Sequence, residues 1–401
     1  MKFHVALACL YLAASTGCSK PEMAVKNLCT GGKPRNFAPN GFSLVFKAEY
    51  IDEVDEGRRV FEPITDLQEL QGEVKLAVDD GGNTTGKESQ PSLIQKPQNV
   101  ALKTLILIDG SGSIYDEQSN TENKIKDAVR QFLQNIDDAR HIIGIYKFYG
   151  DRTKIEPIHG FSPERLQRLD RNYYASTDEW KAEWLKDRDA MLKSMEPTST
   201  PTIARAGTST ALHDALRISL DTIQNIGKGT PAPGGPLPSV LVKTLIVFTD
   251  GKDEVAAGSD YTSTKGTAIV SADAFKANTN NTVLVAGVAK EDDDLDNDLL
   301  EQVASPNGLF LSDKFDLLGD AFRRFAEKAA AKANKYYQFS MCSNRRGQAK
   351  IGAILRISHP QYQEGQMSFS YDASQFVDPT SETPCNLNAA QACEWSDASG
   401  S

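Results

Sequence analysis

Oxygen-bearing side chains recur at three places where an apolar run ends or a helix pattern begins. Asp109-Gly110-Ser111-Gly112-Ser113 directly follows the apolar residues 105–108. Gly207-Thr208-Ser209-Thr210 leads into a helix pattern opening at Ala211, and Asp250-Gly251 directly follows the apolar residues 245–248. Carboxylates and hydroxyls are hard donors suited to Mg2+ or Ca2+, and no His or Cys lies in these segments to favour a softer metal. Other chemistries are excluded by their own spacing rules. An EF-hand needs Gly where Ile114 stands and Glu where Asn120 stands. An aspartyl-phosphate enzyme needs a second Asp where Ser111 stands. There is no GxSxG, HExxH or P-loop lysine motif.

The elements that must position these segments alternate between strand and helix. Residues 105–108, 245–248 and 283–286 are continuous apolar runs, as expected of strands buried on both faces of a parallel sheet, and 142–148 reads as another strand. Ile125, Ala128, Val129, Phe132 and Ile136 recur at helical spacing, as do Leu212, Ala215, Leu216, Ile223 and Ile226. Residues 162–196 mix Trp180, Trp184 and Met191 with many charges and read as a helical insertion. A last amphipathic helix is expected over 315–333. Together these predict a doubly wound α/β domain over residues 101–334, with its ligand at the carboxyl ends of the strands. On either side the pattern changes to period two, in Phe42, Leu44, Phe46, Ala48 and Tyr50, and again in Ile351, Ala353, Leu355 and Ile357. Each β segment, 41–100 and 335–401, is too small for a core of its own. The expectation is one small antiparallel β-sandwich made from both, with the α/β domain inserted in it.

The order Asp-x-Ser-x-Ser, then Gly-Thr, then Thr-Asp-Gly resembles the metal-ion-dependent adhesion site of von Willebrand factor A domains, which integrin I domains share. The resemblance covers about residues 101–334, with the insertion at 162–196 as a departure from the minimal domain. It implies that Ser111 and Ser113 coordinate the metal directly, that Thr208 does so in the ligand-competent state, and that Asp109 and Asp250 act mostly through water. It further implies Mg2+ (or Mn2+ or Ca2+) as cofactor, and a protein ligand supplying an Asp or Glu carboxylate as partner. The expected function is therefore binding and not catalysis: adhesion, motility or envelope assembly. A non-adhesive scaffold subunit of a periplasmic or membrane-associated complex is the alternative. The inserted position of the domain is similar to that in the integrin β head.

The first residues point to export. Lys2 precedes a twelve-residue apolar stretch, too short to span a membrane as a mature helix, and Ser15-Thr16-Gly17-Cys18 follows. Small residues before a cysteine resemble the lipobox of bacterial lipoproteins, although Ser15 stands where Leu is usual. The expectations are a signal peptide over 1–17, acylation of Cys18, a tether over 18–40, and an outer-membrane lipoprotein facing the periplasm or the surface. Cys29, Cys342, Cys385 and Cys393 then form an even set in an oxidising compartment, with three possible pairings. Cys385 with Cys393 would close a short loop and leave Cys29 with Cys342. The chain is 40% apolar and 24% charged, so it can build globular cores. Its net charge of −10 argues against nucleic acid as a partner.

Overall fold

Strand-forming residues open the chain. In the computed structural model, which describes residues 20–29, 34–55, 58–64, 69–76, 87–88, 91–96, 100–115, 120–150, 155–170, 173–174, 176–205, 209–226, 240–254, 263–278, 280–288, 295–380 and 384–387, seven strands come first. They are β1 (Met23–Asn27), β2 (Arg35–Phe37), β3 (Gly41–Asp55), β4 (Arg58–Pro63), β5 (Gln71–Leu76), β6 (Lys87–Glu88) and β7 (Ser92–Gln95). The α/β region follows with β8 (Val100–Asp109), α1 (Thr121–Gln134), β9 (His141–Phe148), β10 (Glu156–His159), α2 (Pro163–Arg168) and α3 (Thr177–Ser194). It continues with α4 (Leu212–Asn225), β11 (Val240–Thr249), α5 (Lys265–Lys276), β12 (Thr282–Val288), α6 (Asn297–Val303), β13 (Leu309–Ser312) and α7 (Leu318–Asn334). The chain ends in β14 (Tyr336–Cys342), β15 (Ile351–His359) and β16 (Tyr362–Tyr371). Two compact units result. One spans residues 99–333, and the other joins the segments before and after it.

In the β unit, β3 is central, paired antiparallel with β1 on one side and β14 on the other. Strands β14 and β7 also pair, so the N- and C-terminal segments share a sheet. A second sheet runs β16-β15-β5-β6 and likewise mixes both segments. The two sheets meet through aromatic rings: Phe42 of β3 stacks on Tyr371 of β16 at 4.3 Å and lies 5.5 Å from Phe369. Part of the expected tether is strand, because β1 and β2 lie within residues 18–40 and pair with β3. No alternation marks those residues, since an edge strand is specified by the neighbour it pairs with as much as by its own pattern. The same reason explains β7, which lies within the polar residues 81–99 whose composition reads as loop.

Disulfide pairing also differs from the short-loop expectation. Cys342 bonds Cys385, 43 residues away. Cys342 ends β14 and is buried, so the fold and not sequence proximity chooses its partner. Cys29 is disulfide-bonded as well. Cys393, Cys18 and the expected signal peptide lie outside the described residues.

In the α/β unit the sheet order is β10-β9-β8-β11-β12-β13. All pairings are parallel except β10 with β9 at the edge. The order reverses between β8 and β11, which makes the crevice at their carboxyl ends the topological switch point. Leu105 and Leu107 face α4 and α5, in a core with Leu216 and Phe275. Ile106 and Ile108 face the opposite layer, with Val129, Phe132, Trp184 and Phe322. That double burial is what their unbroken apolar run encodes.

The insertion is α2 and α3, held to β9 by a buried ion pair. Arg165 grips Asp187 with Nε to Oδ1 at 2.9 Å and Nη2 to Oδ2 at 2.6 Å, and Nη2 also donates to the Ile143 carbonyl. Burial pushes the Asp187 carboxyl up, but hydrogen bonds from Arg165 and His159 prevail and hold it well below the usual carboxylate range. Trp184 donates its indole N–H to the His141 carbonyl at 2.7 Å.

His141 itself is buried, with Nε2 2.6 Å from Thr104 Oγ1 and its ring edge-on to Phe132. Desolvation lowers its pKa to about 4. Below pH ~6.5 the unfolded chain therefore takes up a proton that the folded chain refuses, and stability falls with pH. This one group is expected to remove about 2 kcal/mol between pH 7 and pH 5. Urea unfolding of the wild type and His141→Gln at both pH values measures it. The variant should lose about 2 kcal/mol less on acidification, and equal losses would contradict the assignment.

Candidate metal centre

The centre is built from the ends of two neighbouring parallel strands. Ile108 of β8 pairs with Phe248 of β11, so Asp109 and Thr249 end side by side. Asp109 is fully buried. Its Oδ2 accepts from Thr249 Oγ1 at 2.8 Å, and its Oδ1 accepts from the Ser111 backbone N–H at 3.0 Å. Burial pushes the Asp109 carboxyl up to about 6, against the pull of the hydrogen bonds from Ser111, Thr249 and the Asp250 backbone. A cation nearby would favour its ionised form.

From Asp109 the chain turns through residues 111–115, closed by Ile114 N–H to Ser111 O and Tyr115 N–H to Gly112 O, both 3.2 Å. The turn brings Ser111 Oγ to 3.1 Å from Ser113 Oγ, and Ser113 Oγ donates to Asp250 Oδ1 at 3.0 Å. Asp109, Ser111, Ser113 and Asp250 thus come together in one connected cluster. Thr208 lies outside the described residues. Its neighbour Ser209 passes so close to the end of β9 that a Cβ on Gly150 would stand 2.2 Å from Ser209 Oγ. That contact brings the third segment to the same rim.

The donor set fits a small hard cation. Hydroxyl and carboxylate oxygens stand 3.1 and 3.0 Å apart along Ser111, Ser113 and Asp250, and oxygens are the donors such cations take. Among the described residues no three His, Cys, Asp or Glu side chains gather to hold a metal, so any cation held here depends on the hydroxyls.

Sequence reasoning missed Thr249 and Glu122 as residues that hold the centre. Thr249 belongs to the Thr-Asp-Gly string, which was its only signal. Glu122 in the first turn of α1 had none. Its carboxylate accepts from the backbone N–H groups of Thr202, Ile203 and Ala204 at 2.7, 3.0 and 2.9 Å. It also pairs with the fully buried Lys126 at 2.8 Å. Burial pushes Glu122 up, but the bonds from Lys126 and the three N–H groups outweigh it and lower its pKa. The loop so held presses on the metal turn. Ile203 O would stand 2.8 Å from a Cβ on Gly110, and the Arg205 N–H donates to Gly110 O at 3.0 Å. Gly110 is thus required by close backbone approach. His213, beside Asp214 at the start of α4, pairs through Nδ1 with Asp253 at 3.2 Å and latches α4 to the segment after Asp250.

No family model matches the chain, and no curated protein matches it. Among solved structures it is similar to a von Willebrand factor type A protein from Catenulispora acidiphila, with a TM-score of 0.40 and 11% identity over 93% of this chain and 78% of that one. It is similar to the pilus adhesin SpaC from Lactobacillus rhamnosus GG, with a TM-score of 0.38 and 11% identity over 88% of this chain and 48% of that one. It is also similar to proximal thread matrix protein 1 from the mussel byssus, in a structure with a zinc-occupied MIDAS motif, with a TM-score of 0.35 and 18% identity over 59% and 50% of the two chains. The chain spans about half the length of the SpaC and mussel structures.

The Glu122–Lys126 pair yields a test of how the centre is held. Removing one partner of a buried pair leaves an uncompensated charge, at a cost of about 3–5 kcal/mol. Glu122→Ala should lose that much stability in urea unfolding. The double variant Glu122→Ala/Lys126→Met should recover part of it, because the stranded charge is gone. If the double variant is as unstable as the single, the loop contacts and not the charge dominate.

Proposed function

We propose that this chain is a lipid-anchored binding protein of the bacterial envelope that captures a carboxylate-bearing protein ligand through a divalent cation. The observation that carries the reading is the connected cluster of Asp109, Ser111, Ser113 and Asp250 at the switch point of a doubly wound sheet. Ser111, Ser113 and Thr208 are the hydroxyls that would hold the cation, with Asp109 and Asp250 behind them and Mg2+ (or Mn2+ or Ca2+) the expected ion. When bound, the cation supplies a Lewis-acidic position for an Asp or Glu oxygen of the partner. The chain's own part is to keep these donors aimed before the ligand arrives. Thr249 and the Ser111 N–H fix both oxygens of Asp109, and Glu122 fixes the loop over Gly110. Preorganised donors lose little entropy on binding. The proposed role is binding and not catalysis.

The flanking sheets are read as one β-sandwich in which the α/β domain is inserted, an arrangement like that of the integrin β head. Acylated Cys18 would anchor the molecule in the outer membrane.

Mg2+ titration by calorimetry tests the centre. Ser113→Ala and Asp250→Ala should each weaken Mg2+ binding about 10–100-fold, and EDTA should abolish capture of an acidic protein ligand. Unchanged Mg2+ affinity in both variants would remove the metal reading. The anchor is tested separately. Cys18→Ser should leave the protein soluble or its precursor uncleaved, and unchanged membrane association would exclude acylation. Protease treatment of intact cells should shave a surface adhesin and spare a periplasmic scaffold.

A further inference from the structure

Beside the metal rim, at the carboxyl end of β9, a guanidinium is held in a fixed pose. Arg205 follows the loop that Glu122 secures, and its backbone N–H donates to Gly110 O, one residue past Asp109. Its side chain lies over the ring of Tyr149, 4.1 Å from the centroid. Tyr149 is buried and directly follows β9, the strand adjacent to β8. Arg205 Nη2 reaches Glu156 Oε2 at 3.3 Å, and Lys147 Nζ stands 3.9 Å from the same oxygen. The Arg205 side chain remains 52% exposed. A guanidinium stacked on an aromatic face and tethered to a carboxylate has already given up its rotamer freedom. It can therefore meet a ligand carboxylate at little entropic cost.

We infer that Arg205 is the second anchor of the ligand, so that the preferred partner segment carries two acidic side chains, one for the metal centre and one for the guanidinium. This rests on the metal-capture reading above and names the ligand class for that site. The position supports it. Neighbouring strands lie about 4.8 Å apart, so the end of β9 is one strand spacing from the end of β8, within the span of a short acidic stretch. Lys147 and Arg205 both face the carboxylate of Glu156, and Lys147 also donates to the Thr202 carbonyl at 3.1 Å. The Arg205 contact to Gly110 uses only the backbone, so side-chain variants leave the metal turn held.

The test uses the full chain and synthetic peptides on a neutral background. One peptide carries a single Asp, and a series carries Asp plus a Glu placed one to four residues away. Binding is measured in Mg2+ and in EDTA, and Mg2+ affinity is measured separately by calorimetry. In Mg2+ the wild type should bind the best two-acid peptide about tenfold more tightly than the one-acid peptide. Arg205→Gln should bring that ratio to within about twofold, Arg205→Glu should invert it, and Arg205→Lys should keep part of it. All three variants should retain the wild-type Mg2+ affinity and one-acid binding. A two-acid preference that survives Arg205→Gln, or a wild type that shows none, overturns the assignment while leaving metal capture intact. Peptide binding insensitive to EDTA, or absent in Mg2+, overturns the metal-capture reading and this one with it.

Discussion

A buried carboxylate organises this α/β domain. Asp109 sits buried where two parallel strands end, and the hydrogen bonds it accepts from Thr249 and Ser111 come from two segments of the centre. A buried carboxylate left unpaired would cost several kcal/mol, on the order of other buried charges. Thr249 and the turn at Ser111 must therefore be where they are for the sheet to close. The same bonds fix the hydroxyls of Ser111 and Ser113 relative to Asp250. Stability and site geometry thus rest on one constraint.

A second buried carboxylate extends that constraint outward. Glu122 takes three consecutive backbone N–H groups and the ammonium of a lysine with no exposed side-chain surface. Asn123 adds two bonds to Thr198, from its amide to the backbone carbonyl and from the Thr198 N–H to its own oxygen. The first turn of α1 therefore clamps the loop that leaves the helical insertion and enters the Gly-Thr segment. The insertion is fixed at its other end by the Arg165–Asp187 pair. What looks in the sequence like an addition to a minimal domain is joined to the rim by polar contacts that are costly to break. It also leads into Arg205, whose backbone N–H bonds Gly110 beside the rim.

The β unit follows a different logic. Its two sheets each draw strands from both ends of the chain, and the Cys342–Cys385 bond lies within the later segment. Neither β segment alone supplies a complete sheet. β14 needs β3 and β7 as neighbours, and β15 needs β5. The unit forms only when residues separated by the whole α/β domain come together.

What the residues decided by themselves was the type of each long element and the identity of the donors. Residues 105–108 and 245–248 are apolar without interruption because both their faces are covered, and that pattern needs no tertiary knowledge to read. Asp109, Ser111, Ser113 and Asp250 stood out because hard donors at strand ends have few structural uses. Tertiary structure alone decided which strands adjoin, and so that Thr249 would satisfy Asp109. It decided that Glu122, an ordinary first-turn acid by sequence, would hold a loop eighty residues away. It turned part of the expected tether into β1 and β2, because a ladder of backbone hydrogen bonds is written in the partner strand and not in the segment's own side chains. It chose Cys385 for Cys342 over the nearer Cys393 as partner for Cys385, since a disulfide joins the atoms that folding brings within reach.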